Sequence, residues 1–242
     1  MILPEKLSCF DKTYPIIDDI VRVLNQEDVV GKNKRYQKLY DDFAPFYSFT
    51  QKCVEWYYRF INLFRKSQKN AYRGFLEDMA IKPGEKVLEV SVGTGDNIVF
   101  LPEGIEFYGL DISLGMLKQC FKRYKKSKIS PVLVHGMAEA LPFKDETFDV
   151  VIHIGGINFF TDKAKAIQEM IRVAKPGARF IISDETEKVA KEYENSPIAK
   201  RFFKDRDEVI VPPVHLLPHD MKNVEVTYRF NDTLYVITFT KP

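Results

Sequence analysis

Two short apolar runs restrict this chain more than any other feature. Val87-Leu88-Glu89-Val90 breaks off in Ser91-Val92-Gly93-Thr94-Gly95-Asp96-Asn97, and Phe107-Tyr108-Gly109-Leu110 stops at Asp111. Runs of this kind read as buried strands. The order strand, glycine turn, helix, strand, terminal acid is that of the nucleotide-binding half of a doubly wound α/β fold. Glycines let the backbone approach a ligand, and a helix after the turn offers free N–H groups to an anion. A carboxylate at Asp111 is placed to accept hydrogen bonds from both hydroxyls of a ribose.

The turn discriminates between nucleosides. A dinucleotide turn reads G-x-G-x-x-G, but here those positions hold Ser91, Gly93 and Asp96. An acid at the third position repels a pyrophosphate. The spacing instead matches E/D-x-G-x-G-x-G through Glu89, Ser91, Gly93 and Gly95, with serine replacing the first glycine. On these residues the chain resembles the class I S-adenosylmethionine (SAM) methyltransferases, most closely the small-molecule branch of the ubiquinone/menaquinone-biosynthesis type. In motif order the resemblance runs roughly from Tyr36 to Pro242. It implies SAM as cofactor and S-adenosylhomocysteine as product. SAM carries no phosphate, so an acid beside its ammonium is favourable.

The implied fold is α/β: a doubly wound, seven-stranded, mostly parallel sheet, closed by an antiparallel C-terminal hairpin and covered by an N-terminal helical lid. Residues 1–70 are expected as cap and lid, and residues 71–242 as the SAM-binding domain. Expected strands are Lys86–Val90, Glu106–Asp111, Val132–His135, Phe148–Ile154, Arg179–Asp184 and the alternating runs Val224–Phe230 and Leu234–Thr240 around Asn231-Asp232. Expected helices are Leu114–Lys125 with Ser113 as N-cap, one from Thr161 or Asp162 to Val173, and one over Lys188–Lys204 broken near Pro197. The run Tyr14–Ile20 is either a strand or the start of a helix. With Cys9 it faintly resembles the tail of a zinc ribbon reduced to one ligand, or else a plain cap. Residues 36–64 are dense in aromatic rings. Tyr36, Tyr40, Phe43 and Tyr47 recur at helical spacing, and Pro45 predicts two helices or a kink. Tyr40-Asp41-Asp42-Phe43-Ala44-Pro45-Phe46-Tyr47 resembles the family's lid segment, which gives Tyr36, Tyr40 and Tyr47 a place in the lid or in packing. Trp56, Tyr58, Phe60 and Phe64 read as packing.

The resemblance implies roles for individual residues. Glu89 orients the turn and the methionine ammonium. Gly93 and Gly95 give close backbone approach, and Ser91 either has ordinary backbone angles or alters the turn. Asp96 and Asn97 either touch the methionine end or cap a helix. Asp111 binds the ribose and Ile112 the adenine face. His135–Phe143 resembles the family's adenine loop, placing Met137 and Ala138 at the adenine, with Met137 where an aspartate usually accepts from the amino group. Methionine covers the ring by soft packing instead. His153 ends its strand at the ligand crevice beside the cofactor, as a general base or a positioning group. Asp184 and Glu185 end another strand at the same rim, where either binds a cationic substrate or takes a proton. His153 and Asp184 are the catalytic candidates, and Asn158 shapes the substrate side. No metal is expected: Cys9, Cys53 and Cys120 are scattered, and His215 and His219 lie in a Pro-rich loop.

Composition narrows the partners. A net charge of +2 gives no electrostatic case for nucleic acid. No apolar run approaches the ~20 residues of a membrane span, and the start of the chain lacks a signal-peptide apolar region. The cysteine usage suits the cytoplasm. Methyl transfer from a sulfonium asks the protein mainly for orientation and desolvation, which accords with a strong cofactor signature and a faint catalytic one. The expected activity is therefore SAM-dependent methyl transfer to a small aromatic or lipid-like acceptor, by a monomer or homodimer. The alternative is a non-catalytic SAM-binding regulatory or scaffold protein. A nicotinamide dehydrogenase is disfavoured by Asp96 and the closing hairpin, and a nucleic-acid methyltransferase by the near-neutral charge.

Overall fold

Alternation explains why the two apolar runs are apolar throughout. In the computed structural model Leu88 and Val90 enter one core cluster while Val87 enters another, and Tyr108 and Leu110 part from Phe107 in the same way. Successive side chains of a strand point to opposite faces, so a sheet covered on both sides needs apolar residues at every position. The structure describes residues 4–61, 69–124, 128–195 and 208–242, with the backbone alone for residues 4, 47–61 and 69–73.

The helices are α1 (Pro4–Leu7), α2 (Gly31–Ile61), α3 (Lys69–Asp78), α4 (Leu114–Tyr124), α5 (Lys163–Val173) and α6 (Glu187–Glu194). The strands are β1 (Ile16–Ile17), β2 (Ile20–Arg22), β3 (Lys86–Val90), β4 (Glu106–Asp111), β5 (Val132–His135), β6 (Phe148–Ile154), β7 (Ala174–Glu185), β8 (Lys222–Arg229) and β9 (Leu234–Thr240). They form one sheet in the order β1-β2-β5-β4-β3-β6-β7-β9-β8. Strands β2, β5, β4, β3, β6 and β7 run parallel, whereas β1, β9 and β8 pair antiparallel to their neighbours. Chain order reverses between β3 and β6, and such a switch point opens a crevice at the carboxyl ends of the strands. Apolar residues of α5 and α6 cover one face of the sheet, and those of α3 and α4 cover the other.

All seven expected strands are present, and two more extend the sheet. The stretch Tyr14–Ile20 is not a helix: Asp18 and Asp19, at φ 55° and 60°, make a two-residue hairpin turn between β1 and β2. Such left-handed pairs match the twist of the flanking strands, and Asp tolerates them. Strand β2 then lies parallel to β5, with Ile20 opposite Leu133 and Val21 opposite Val134. Part of the stretch expected to cap the domain is thus built into its sheet.

Two helical expectations change. Pro45 sits inside α2, a single helix of 31 residues, so of the two alternatives the pair of separate helices does not hold. The helix expected after the glycine turn is a single 3-10 turn, Ile98–Phe100. Pro102 forces the residue before it out of helical conformation, and Leu101 is extended at φ −83°, ψ 146°. The part of the predicted Lys188–Lys204 helix beyond residue 195, with Pro197, lies outside the described residues, as does Phe64. So do the side chains of Tyr47, Trp56, Tyr58 and Phe60.

Ile20 is fully buried in the α3/α4-side core. Ile20→Ala is expected to lower stability by about 3 kcal/mol, seen as a lower urea midpoint with an unchanged slope.

Candidate functional site

The carboxyl ends of β4, β3, β6 and β7 surround a cavity of about 330 Å³. Its floor begins at the turn after β3. Ser91 has φ 62°, beside Gly93 at 54° and Gly95 at 76°. The serine therefore adopts the left-handed conformation that glycine takes at no steric cost, and the turn keeps its shape despite the side chain.

Asp111 fastens this turn to the next loop. Its Oδ2 accepts from the N–H of Gly93 at 2.8 Å, and its Oδ1 accepts from the N–H of Ser113 at 2.8 Å. Burial raises its pKa to about 6, although those two N–H bonds pull the other way. Glu89, one residue before the end of β3, is only 1% exposed. Its Oε1 accepts from Asn97 Nδ2 at 2.6 Å, and its Oε2 has no partner. Burial raises its pKa to about 8 against the Asn97 hydrogen bond, with Asp96 and Asp111 adding repulsion. Asn97 thus holds Glu89 and makes no side-chain cap. Asp96 accepts from Thr94 Oγ1 at 3.2 Å and forms an ion pair with Arg123 of α4.

Helix α2 is attached along one face. Asn33, Gln37 and Asp41, four residues apart, fall on the same side of a helix. Asn33 Nδ2 donates to Glu139 Oε1 at 2.9 Å, and its Oδ1 accepts from the N–H of Thr161 at 3.1 Å. Gln37 Nε2 donates to the Ile112 carbonyl at 3.2 Å. Asp41 Oδ1 accepts from Ser113 Oγ at 2.6 Å and from the N–H of Gly115 at 2.8 Å. Tyr36 and Tyr40 line the cavity, and Tyr36 stacks on Phe159 with centroids 4.3 Å apart.

Of the residues singled out in the sequence, Glu89, Ser91, Gly93, Asp96, Asn97, Asp111, Ile112, Tyr36, Tyr40 and Asp184 share this wall. Gly95 does not. A Cβ there would meet Cys120 Sγ at 2.8 Å and Ile98 and Tyr124 at 2.9 Å, so the packing of α4 requires this glycine. Met137 and Ala138 also lie off the wall, whereas Asn33 of α2 is part of it. His153 is fully buried behind the wall. Its Nδ1 bonds the Val90 carbonyl at 3.0 Å and therefore carries hydrogen, its Nε2 has no partner, and its ring tilts against Phe160. Burial lowers its pKa to about 4. Neither position nor basicity suits it to take a proton from a ligand.

Asp184 is on the wall, but its carboxylate accepts from the N–H groups of Gly156 at 3.1 Å, Asn158 at 3.0 Å and Glu185 at 2.8 Å. Burial raises its pKa against those three bonds. It fastens the loop after β6. Glu185, also on the wall, has among the described residues only the Tyr193 hydroxyl at 3.3 Å, and burial together with Asp184 raises its pKa to about 8. Asn158 donates from Nδ2 to the Glu185 carbonyl and does not line this cavity. Sequence reasoning missed Asn33, whose signal is the four-residue polar spacing along α2.

Five carboxylates line the cavity, Glu89, Asp96, Asp111, Asp184 and Glu185, and among the described lining residues there is no lysine, arginine or histidine. Such a wall suits a cation and repels phosphate. The unpartnered Oε2 of Glu89 is an acceptor waiting for a donor, and the open space at Gly93 leaves the backbone approachable. SAM, with its ammonium and sulfonium, fits this donor and acceptor set. A dinucleotide does not.

Residues 88–182 match a family model described as a methyltransferase domain. Among curated proteins it is similar to a demethylmenaquinone methyltransferase of Renibacterium salmoninarum, 32% identical over 148 residues, which are 60% of this chain and 56% of that protein. One from Anoxybacillus flavithermus is 40% identical over 111 residues, 44% of this chain and 47% of that protein. A ubiquinone/menaquinone biosynthesis C-methyltransferase of Geobacter sulfurreducens is 29% identical, over 70% of this chain and 65% of that protein. The chain spans about half the length of the first curated relatives it matches. Among solved structures, a SAM-dependent methyltransferase from Thermotoga maritima, described as a possible histamine N-methyltransferase, aligns with TM-score 0.56 and 24% identity, covering 83% of this chain and 98% of that one. Phosphoethanolamine N-methyltransferase 2 of Haemonchus contortus, solved with SAM, aligns with TM-score 0.58 and 17% identity, covering 72% and 52%. These two likenesses show the fold alone.

Glu89 holds its proton more tightly in the fold than in the unfolded chain, where the ordinary value is 4.5. The stability it contributes is complete below pH 4.5 and is lost as pH rises through 8. Glu89→Gln is therefore expected to be more stable than the wild type at pH 8.5, by on the order of 3 kcal/mol. The two should nearly coincide at pH 4.5, as compared by urea unfolding. Gly95→Ala is expected to lower the melting temperature sharply, because its Cβ meets three side chains at a positive φ. Gly93→Ala, with open space around it, should cost only about 1 kcal/mol.

Proposed function

We propose that this chain transfers the methyl group of SAM to a small aromatic or lipid-like acceptor. The observation that carries the reading is the cation-free carboxylate wall, with the unpartnered Glu89 Oε2 beside an approachable glycine turn. Glu89 would receive the ammonium of the methionine end. Each oxygen of Asp111 holds one N–H group and keeps a lone pair for a ribose hydroxyl. Ile112 and Met116 offer apolar surface to the adenine. Bound there, SAM supplies a methyl group already activated by its sulfonium.

The acceptor end lies toward β7, where Ile154, Phe159, Phe160 and Leu234 present apolar surface and Glu185 a carboxyl group. These side chains orient a flat molecule and exclude water, the two tasks an in-line displacement asks of a protein. Glu185 is the wall carboxyl least occupied by hydrogen bonds at that end, and above about pH 8, once it has lost its own proton, it can accept one that the acceptor loses. The names of the relatives, for demethylmenaquinone and for ubiquinone/menaquinone biosynthesis, support an aromatic, lipid-like acceptor. No helix among the described residues is long and apolar enough to cross a membrane. Scattered cysteines favour the cytoplasm, and a net charge of +2 argues against nucleic acid as the acceptor. A monomer or homodimer accords with this reading.

Titration calorimetry tests it. SAM and S-adenosylhomocysteine are expected to bind with micromolar affinity and NAD not at all, and Asp111→Ala should abolish binding. Absence of binding by both sulfur nucleosides overturns the reading. Glu89 carries a proton below about pH 8, so pairing it with an ammonium expels that proton. The heat of SAM binding at pH 7 should therefore differ between phosphate and Tris buffers, whose ionisation enthalpies differ, and Glu89→Gln should remove the difference.

A further inference from the structure

Beside the first cavity lies a second, of about 380 Å³, and the two share Phe160. The second wall carries both signs, with Lys32 and Lys163 set against Asp162 and Glu208. Where the first has acids and no cation, this one has Lys32, from the start of α2, and Lys163, from the first turn of α5. Both ammonium groups address one atom, Oε1 of Glu208, Lys163 in direct contact and Lys32 at 3.9 Å. Two lysines around one carboxylate oxygen make a carboxylate-binding arrangement, filled here by the chain's own side chain. Glu208 is half exposed, at 51%. Exposed ion pairs are weak in water, so an external anion can take its place. Asp162, the other acid on this wall, is engaged as the N-cap of α5, accepting from the N–H of Lys165 at 2.9 Å.

Tyr235 supplies an independent observation. It belongs to the same wall, is fully buried, and its hydroxyl has no hydrogen-bond partner. A buried hydroxyl left without a partner is costly, and an anion oxygen in this cavity would satisfy it. Tyr235 stands opposite Asp184 in the β7–β9 ladder. The second cavity therefore abuts the end of the first assigned to the acceptor.

We propose that this second cavity binds an oxyanion, the carboxylate or phosphate group of the acceptor, with Lys163, Lys32 and the Tyr235 hydroxyl as donors and Glu208 as the group it displaces. The word acceptor rests on the methyl-transfer reading; the anion site does not. An acceptor of this class has a ring against Phe160 and an anionic substituent beyond it.

The test titrates inorganic phosphate and benzoate, each at constant ionic strength, into the full chain while amide NMR shifts are followed. Glu208→Gln is expected to bind at least one of them about fivefold more tightly than the wild type, the gain of removing an exposed competing pair. Lys163→Met in the Glu208→Gln background should abolish that binding. Should Lys163→Met fail to fold, Lys163→Gln serves in its place. Tyr235→Phe should weaken binding severalfold without lowering the melting temperature, because its hydroxyl bonds nothing in the fold. Binding of phosphate alone, of benzoate alone or of both supports the site and names the source of the oxyanion. If neither binds the Glu208→Gln protein, or if the Lys163 variant binds as well as its parent, the proposal falls. None of the substituted residues lines the first cavity, so SAM affinity should stay unchanged in every variant. A wild type that binds phosphate or benzoate but no SAM would overturn methyl transfer and leave the anion site standing.

Discussion

The carboxylate of Asp111 is the joint on which this molecule's site is built. It ends β4, yet its two oxygens hold the N–H of Gly93, in the turn after β3, and the N–H of Ser113, at the start of α4. Ser113 in turn gives its hydroxyl to Asp41 of α2. One buried acid therefore connects the glycine turn, the loop before α4 and the covering helix. Because the bonds run to backbone N–H groups, they depend on the conformation of the turn and not on its side chains. That independence explains how Ser91 occupies a glycine position: the left-handed backbone is held from outside by Asp111 and by the ladder to β4.

The same arrangement is electrostatically expensive. Glu89, Asp111 and Asp184 are all buried, and each carboxyl binds its proton more tightly than in water. A chain selected only for stability would not collect acids on one cavity wall. Strain and desolvation of this sort concentrate where a ligand repays them, and the ligand that repays five acids is cationic. Asp184 and Glu185 show how finely neighbours differ in role. The first is filled by three N–H groups and fastens the loop after β6, while the second has one weak partner among the described residues and lines the open cavity.

Much of the fold was legible because the central strands are buried on both faces, which leaves an unmistakable apolar run. The terminal hairpin was legible through alternation. Strands β1 and β2 were legible only as one of two readings of Tyr14–Ile20, since two and three residues are too few to show a period, and the turn that makes them is Asp-Asp and not a glycine pair. The missing helix after the turn was legible in hindsight from Pro102. In the site, Glu89, Gly93, Asp111 and Ile112 followed from spacing along the chain. Gly95, His153, Met137 and Ala138 did not fall where spacing suggested, because what decides their role is another element: α4 fills the space over Gly95, Val90 claims His153, and α2 lays Asn33 along the wall. Contacts across elements leave no local trace in a sequence.

The placement of β2 has a consequence for how the chain reaches its native state. Ile20 pairs with Leu133, so β2 must wait for a partner synthesised about 110 residues later, and closing so long a loop is entropically unfavourable until the central strands have assembled. Until then the side of β5 away from β4 is an open sheet edge, the kind of surface that recruits other chains. β2 serves as an internal guard for that edge, and it arrives late. The interval between completion of β5 and docking of β2 is when this protein is most exposed to aggregation, and a chaperone that holds residues 16–22 apart would prolong it.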